Sequence, residues 1–342
     1  MTGRKLKILA CAAASLMPAP ALALAPALVA TNLAGVLAYA PPPAGFDAFS
    51  ATDDALAAYG YPPRPARVRS RDYDMWARAV RAERRRIVPI LRQTDMAAGA
   101  VLQARPGLRG GSATSKNWSA AVLANTASHY GTGSFHSAAA WFNIPAANQA
   151  AGVCYGWDHL YTWVGLDGWT NNDVFQAGTS SSAYCAEGTT LQSYTAWYEW
   201  YPSTSVQITN LPVNPGDAMV VWMIANGATT GTAWVINETS GTSVDINFSA
   251  PAGTALAGSS AEWVQERPTD NGVLATLTNY GAAWMSTAGA TLLGSNTLYT
   301  MGSPGNATPV LVTMLDNNGG AISFPTELGG NALAFEVEGS AK

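Results

Sequence analysis

The 342 residues are enough for two domains and carry 18 Lys and Arg against 22 Asp and Glu, a net charge of -4. That figure hides two opposed parts: residues 1–112 hold 15 basic and 7 acidic side chains, net +8, and residues 113–342 hold 3 and 15, net -12. So sharp a division favours one globular domain behind a removable basic front section over two independent domains.

The chain opens with Arg4, Lys5 and Lys7, an apolar run from Ile8 through Met17 and small residues at Ala21-Leu22-Ala23, the pattern of an export signal. Pro18, Pro20 and Pro26 disfavour a straight spanning helix, so residues 1–25 are expected to be cleaved and the remainder secreted, free of the membrane. A basic prosegment is expected over 26–112. Its first part, 26 to about 70, is rich in Ala and Pro and reads as a poorly ordered lead-in. From 72 to 88, Tyr73, Trp76, Val80 and Ile87 share one helical face and Arg78, Arg81 and Arg85 another, which predicts an amphipathic basic helix ending at Pro89. A basic face can serve nucleic acid or an anionic membrane. Here the chain supplies its own acidic partner, and the expected contact is with residues 113–342, loosening as carboxylates are protonated. The linker Arg105 to Lys116, with Gly107, Gly110 and Gly111, is the expected processing region.

From Asn117 onward, short runs of Thr, Val, Tyr and Trp alternate with Gly, Asn, Pro and Ser. Candidate strands are Tyr161 to Leu166, Tyr194 to Tyr201, Ala218 to Ile224, Thr232 to Glu238, Ser243 to Phe248 and Ala261 to Glu266, predicting an antiparallel sandwich or barrel over 113–342. Alternation puts Glu262, Val264 and Glu266 on one strand face, and Thr195, Trp197, Glu199 and Tyr201 on another, so carboxylates beside aromatics suggest a lined groove. Cys154 and Cys185 read as one disulfide that restrains the unfolded chain by roughly 3 to 4 kcal/mol, since Cys11 lies in the export segment. No metal or cofactor set accompanies them. Asn117, Asn237, Asn247 and Asn306 lie in N-x-S/T sequons.

Several hydrolytic chemistries are missing. His129, His136 and His159 follow no nucleophile-elbow or triad pattern, both later cysteines read as oxidised, and neither H-E-x-x-H nor paired Asp-Thr-Gly or Asp-Ser-Gly loops occur. What remains is carboxyl chemistry on a domain whose cations are Lys116, Arg267 and Lys342. Its carboxylates repel one another at neutral pH, so the domain is suited to acid and its stability should rise as pH falls through the raised carboxyl pKa values.

Five segments then fall in one order: Asn117-Trp118-Ser119; Trp163-Val164-Gly165-Leu166-Asp167-Gly168; Phe175-Gln176-Ala177-Gly178; Ala196-Trp197-Tyr198-Glu199-Trp200-Tyr201-Pro202; and Ala261-Glu262-Trp263-Val264-Gln265-Glu266. Together they resemble the glutamic peptidase (eqolisin) pattern across roughly residues 117 to 340. The resemblance implies a lectin-like double-sheet β-sandwich, a Cys154–Cys185 bridge of the family kind, and a catalytic pair of Gln176 and Glu266. It makes Trp118, Trp163, Asp167, Trp197 and Glu199 substrate-binding or supporting groups, and protein or peptide chains the substrates. Glu266 would draw a proton from water attacking the peptide carbonyl while the Gln176 amide stabilises the oxyanion, with activity at roughly pH 3 to 5 for a carboxyl of near-normal pKa and no sensitivity to pepstatin. Ser180 and Thr195 depart from the family, which often has Asp at both positions. A monomer is expected, because no long exposed apolar pattern demands a partner. Two other readings stay open: a glycoside hydrolase using Glu199 and Glu266, and a noncatalytic carbohydrate-binding sandwich.

Overall fold

The computed structural model describes residues 25–337, apart from 67, 69, 103, 107–110, 151–153, 296 and 328–331. The expected signal peptide therefore lies almost wholly outside the described residues.

Two antiparallel sheets stack face to face. The first contains β1 (Trp118–Ala124), β3 (Gly156–Leu166), β4 (Val174–Ala186), β5 (Thr189–Tyr201), β9 (Ser260–Glu266) and β11 (Thr308–Leu315), in the order β5-β4-β3-β9-β1-β11. The second contains β2 (Phe135–Asn143), β6 (Ala218–Ala225), β7 (Thr230–Asn237), β8 (Thr242–Ser249) and β10 (Ala282–Leu292), in the order β10-β2-β6-β7-β8. Each predicted strand falls within one of these, except that Glu238 lies just past the end of β7.

The strands form because β-branched and aromatic residues alternate between two buried surfaces. Leu160, Val164, Phe175, Tyr198 and Trp263 of the first sheet meet Phe142, Met219, Val221, Val235 and Ile246 of the second in one apolar core. A disulfide joins Cys154 to Cys185 across the open end of the β3–β4 ladder, as the cysteine count implied.

The described residues between 25 and 111 wrap this sandwich, which corrects the expectation of a poorly ordered lead-in. Strands at Leu28–Ala30 and Leu37–Tyr39 extend the second sheet beyond β8, and the short helix α1 (Asp53–Ala58) follows. The Ala- and Pro-rich run carries Phe46, Phe49, Leu56, Tyr59 and Tyr61, enough apolar surface to dock. Helix α2 (Arg71–Ala82) starts at an N-cap where the Ser70 hydroxyl accepts from the Tyr73 amide. It lays Met75, Trp76 and Val80 against Trp141, Trp222, Ile224, Trp234 and Ile236 on the outer face of the second sheet. Full burial of Trp76 alone stabilises this contact by about 3 kcal/mol.

The helix is shorter than predicted, because Glu83 and Arg86 leave it for a buried polar cluster. Trp234 Nε1 and Ser243 Oγ donate to Glu83 Oε2 at 2.5 and 2.7 Å, and Arg86 bridges Glu83 at 2.9 Å and Asp245 at 3.5 Å. Arg85–Arg86 consequently pairs in parallel with Thr242–Ser243, so Ile87 is not on the helix. The charged face also differs from expectation. Arg78 meets Glu238 at 3.1 Å, whereas Arg81 covers the Phe49 ring and Arg85 reaches the Thr242 hydroxyl. Among the described residues, Arg78–Glu238 and Arg86–Asp245 are the ion pairs joining the two parts. The chain then turns round the sandwich edge, pairing Leu91–Gln93 with Val206–Ile208 beside β5.

Candidate active site

Side-chain alternation gives the first sheet a second face, turned away from the core, and register orders it in rows. Glu262, Gly165, Gln176 and Glu199 form one row across β9, β3, β4 and β5; Val264, Trp163, Gly178 and Trp197 form the next; Glu266, Tyr161, Ser180 and Thr195 form the third. Gly165 is needed beside Gln176, since a Cβ there would stand 2.8 Å from the Trp163 ring and 3.1 Å from Gln176 Cβ.

Glu266 is fully buried and held by three N–H donors. Trp163 Nε1 donates to Oε2 at 2.7 Å, while Asn117 Nδ2 and the Gly99 amide donate to Oε1 at 2.9 and 3.1 Å. Burial pushes this carboxyl up to about 8 against the pull of those donors. Burial likewise raises Glu199 well above the carboxyl range, with the charge of Glu266 adding to it, and raises Glu262, with Asp167 adding. Of the expected raised carboxyls these three rise, with loss of solvent as the first cause and a neighbouring carboxylate adding only for Glu199 and Glu262, whereas Asp316 is lowered by backbone amides.

The solvent is displaced by the chain itself. Residues 96–102 lie extended over the rows. The Gln176 amide donates to the Ala98 carbonyl, the Ala98 amide donates to Glu199 Oε2 at 3.0 Å, and the Gly99 amide donates to Glu266 Oε1. Trp118 Nε1 donates to the Gly99 carbonyl at 3.1 Å, Asn117 Nδ2 to the Ala100 carbonyl at 3.2 Å, and the Val101 amide to the Gly168 carbonyl at 3.1 Å. Upstream, Ser205 N donates to Met96 O at 2.8 Å, and Met96–Ala97 pairs with Thr269–Asp270. Gln176 and Glu266 thus address opposite ends of a single peptide bond, Ala98–Gly99. Gln176 Oε1 and Glu199 Oε1 have no hydrogen-bond partner among the described residues.

The remaining expected site residues sort by position. Trp118, Trp163 and Trp197 pack in the cluster that receives Ala98 and Ala100, with Trp118 edge-on to Trp163 and Trp197 against Tyr161. Asp167 does not face this cleft. Its carboxylate accepts from the amides of Ala257, Gly258 and Ser259 at 2.8, 2.9 and 2.7 Å and from the Ser259 hydroxyl, pinning the turn that launches β9 towards Glu266. Asn117, Tyr161 and Tyr201 were not singled out as site residues. Asn117 was legible as the leading residue of the Asn-Trp-Ser motif; buried and bonded to Glu266, it is also closed to glycosylation in this state. Ser180 and Thr195 sit directly opposite each other and share a 2.6 Å hydroxyl contact, a pair that does not titrate where the family often has two carboxyls.

Residues 116–319 match the Peptidase A4 family. The chain belongs to this family. Aspergillopepsin-2 of Aspergillus niger is 31% identical over 198 residues, which cover 53% of this chain and 66% of that protein. Scytalidopepsin B of Scytalidium lignicola is 30% identical over 154 residues, covering 44% and 51% respectively. The chain therefore spans less than two thirds of the length of either relative. A solved scytalido-glutamic peptidase with a transition state analog inhibitor shares the fold, with a TM-score of 0.51 and 24% identity over 65% of this chain and 98% of that one. The Peptidase A4 match contains every row residue above and begins at Lys116, so residues 96–102 belong to the part outside it.

Proposed function

We propose that the chain is the precursor of a secreted acid endopeptidase in which Glu266 and Gln176 hydrolyse peptide bonds and residues 26–112 act as an intramolecular prosegment behind a signal peptide at 1–25. The observation that carries this reading is the pair of contacts on one amide: Gln176 on a carbonyl oxygen, Glu266 on the adjoining N–H. When ionised, as it is at acid pH once the cleft is open to water, Glu266 takes a proton from water as the water oxygen attacks the carbonyl carbon. The Gln176 amide, a donor at any acid pH, stabilises the oxyanion, and Glu266 returns the proton to the departing nitrogen. Trp163 and Asn117 orient Glu266, while Trp118 and Glu199 hold the substrate backbone on either side.

Acid operation follows from solvation. With the cleft covered, the Glu266 carboxyl lies near 8; once the covering segment leaves, water returns and the Trp163 and Asn117 donors draw it back towards the ordinary carboxylate range. A polypeptide backbone satisfied by cleft side chains favours peptides over sugars as substrates. The deciding experiment is hydrolysis of a denatured protein after incubation at about pH 3.5 and about pH 7. Cleavage at acid pH should fall by about 10⁴-fold in Glu266→Gln and about 10²-fold in Gln176→Ala. Wild-type rates in either variant would overturn the assignment.

A further inference from the structure

We infer that the Ala98–Gly99 bond is the enzyme's own first substrate, cut within the same molecule. This rests on the peptidase reading and specifies which bond the pair meets first. Along residues 96–102 the backbone is held on both sides of that bond, by Ser205, Glu199 and Gln176 before it and by Glu266, Trp118, Asn117 and Gly168 after it. An inhibitory strand needs only to fill the cleft. This one also presents its carbonyl to the amide that would stabilise an oxyanion and its N–H to the carboxyl that would protonate the leaving amine. In the expected processing linker, Arg105–Pro106 pairs with Ala113–Thr114 at the sheet edge.

The reaction is a hydrolysis. Water adds hydroxide to the Ala98 carbonyl carbon, the C–N bond to Gly99 breaks, and the water's second proton goes by way of Glu266, in the ionised form that accepts the Gly99 N–H, to the Gly99 nitrogen. The products are a carboxyl at Ala98 and an amine at Gly99. The site also states its preferred side chains. Ala98 is fully buried among Trp118, Tyr161, Trp163 and Trp197, and a Cβ on residue 99 would meet the Tyr201 ring at 3.1 Å. The enzyme would therefore take small residues on both sides of the cut.

The test uses full-length chain purified near neutral pH, shifted through a series from about pH 3 to pH 8, and followed by intact-mass spectrometry beside digestion of an unrelated denatured protein. The expected first products end at Ala98 and begin at Gly99, and the first-order rate of their appearance stays constant over a 100-fold range of enzyme concentration. Gly99→Pro, which removes the N–H facing Glu266, should lose this cut by at least about 100-fold, and Gly99→Val should slow it by about 10-fold. A different first terminus, or a rate proportional to concentration, while the denatured protein is digested would overturn the bond assignment and leave the peptidase reading intact. No digestion of either substrate by folded chain at any pH would overturn both.

Discussion

The N-terminal section grips the sandwich on both outer faces, and the two grips have opposite chemistry. On the second sheet, α2 is an apolar plug: Trp76, Met75 and Val80 settle on a tryptophan-rich surface, with Arg86 buried at its edge between Glu83 and Asp245. On the first sheet, residues 96–102 are small and bind through backbone amides and carbonyls to side chains of the cleft. Burial of apolar area is indifferent to pH. Hydrogen bonding to buried carboxyls is not, and of the six carboxyls lifted by burial among the described residues, three lie in the rows of the cleft face, Glu199, Glu262 and Glu266, the others being Asp158, Asp173 and Asp245. One face anchors and the other presents.

Raising pH separates the two most widely. A carboxyl whose folded pKa lies above its unfolded value adds stability that is complete below the unfolded value and lost as pH rises through the folded one. For Glu266 that window runs from the ordinary carboxylate range to about 8, and the loss is on the order of 5 kcal/mol. The slow-cutting variant Gln176→Ala should therefore lose Tm between pH 5 and pH 8. Amide exchange at residues 98–102 should quicken before exchange in α2; the reverse order would break the comparison. This sign also revises the expected loosening in acid, because protonation of these groups favours the covered cleft.

Trp76→Ala attacks the other grip. It should cost about 3 to 4 kcal/mol of docking and expose α2 to trypsin at neutral pH, while isolated cleft chemistry on small peptides is unchanged. Arg86→Met should cost about 3 kcal/mol by leaving Glu83 and Asp245 buried without their cation, and adding Asp245→Leu should recover only part of that in a denaturant melt. The smallest effect is expected from changing Arg78, Arg81 and Arg85 together to Gln. Arg78–Glu238 is an exposed pair and the other two make no ion pair among the described residues, so latency at neutral pH should shift by no more than about 1 kcal/mol.

The sandwich was readable because alternation in residues such as Ala261 to Glu266 and Tyr194 to Tyr201 is a local signal, and both segments are strands. The row that brings Gln176 beside Glu199 was not, since it depends on the register of β4 with β5, which no single segment encodes. Nor was the occupant of the cleft: Met96 to Leu102 is an unremarkable run of small and apolar residues whose meaning comes from distant partners. Asp167 was found through its motif, but its task of tying Ala257 to Ser259 arises from contact ninety residues away. Glu83 shows the limit of helical periodicity, for tertiary hydrogen bonds to Trp234 and Ser243 override the pattern that would have carried the helix to Pro89.

The segment that crosses the cleft is stapled to the residues just before the strand that bears Trp118: Leu102 N donates to Asn117 Oδ1, and Lys116 N donates to the Leu102 carbonyl. A single cut at Ala98–Gly99 would release only the upstream half. The downstream half would stay leashed at millimolar-scale local concentration, with a newborn ammonium group beside Glu266. Such an enzyme would be nicked yet silent, a safety catch with two positions, and it would fire only after a second scission nearer Lys116 let the leash go.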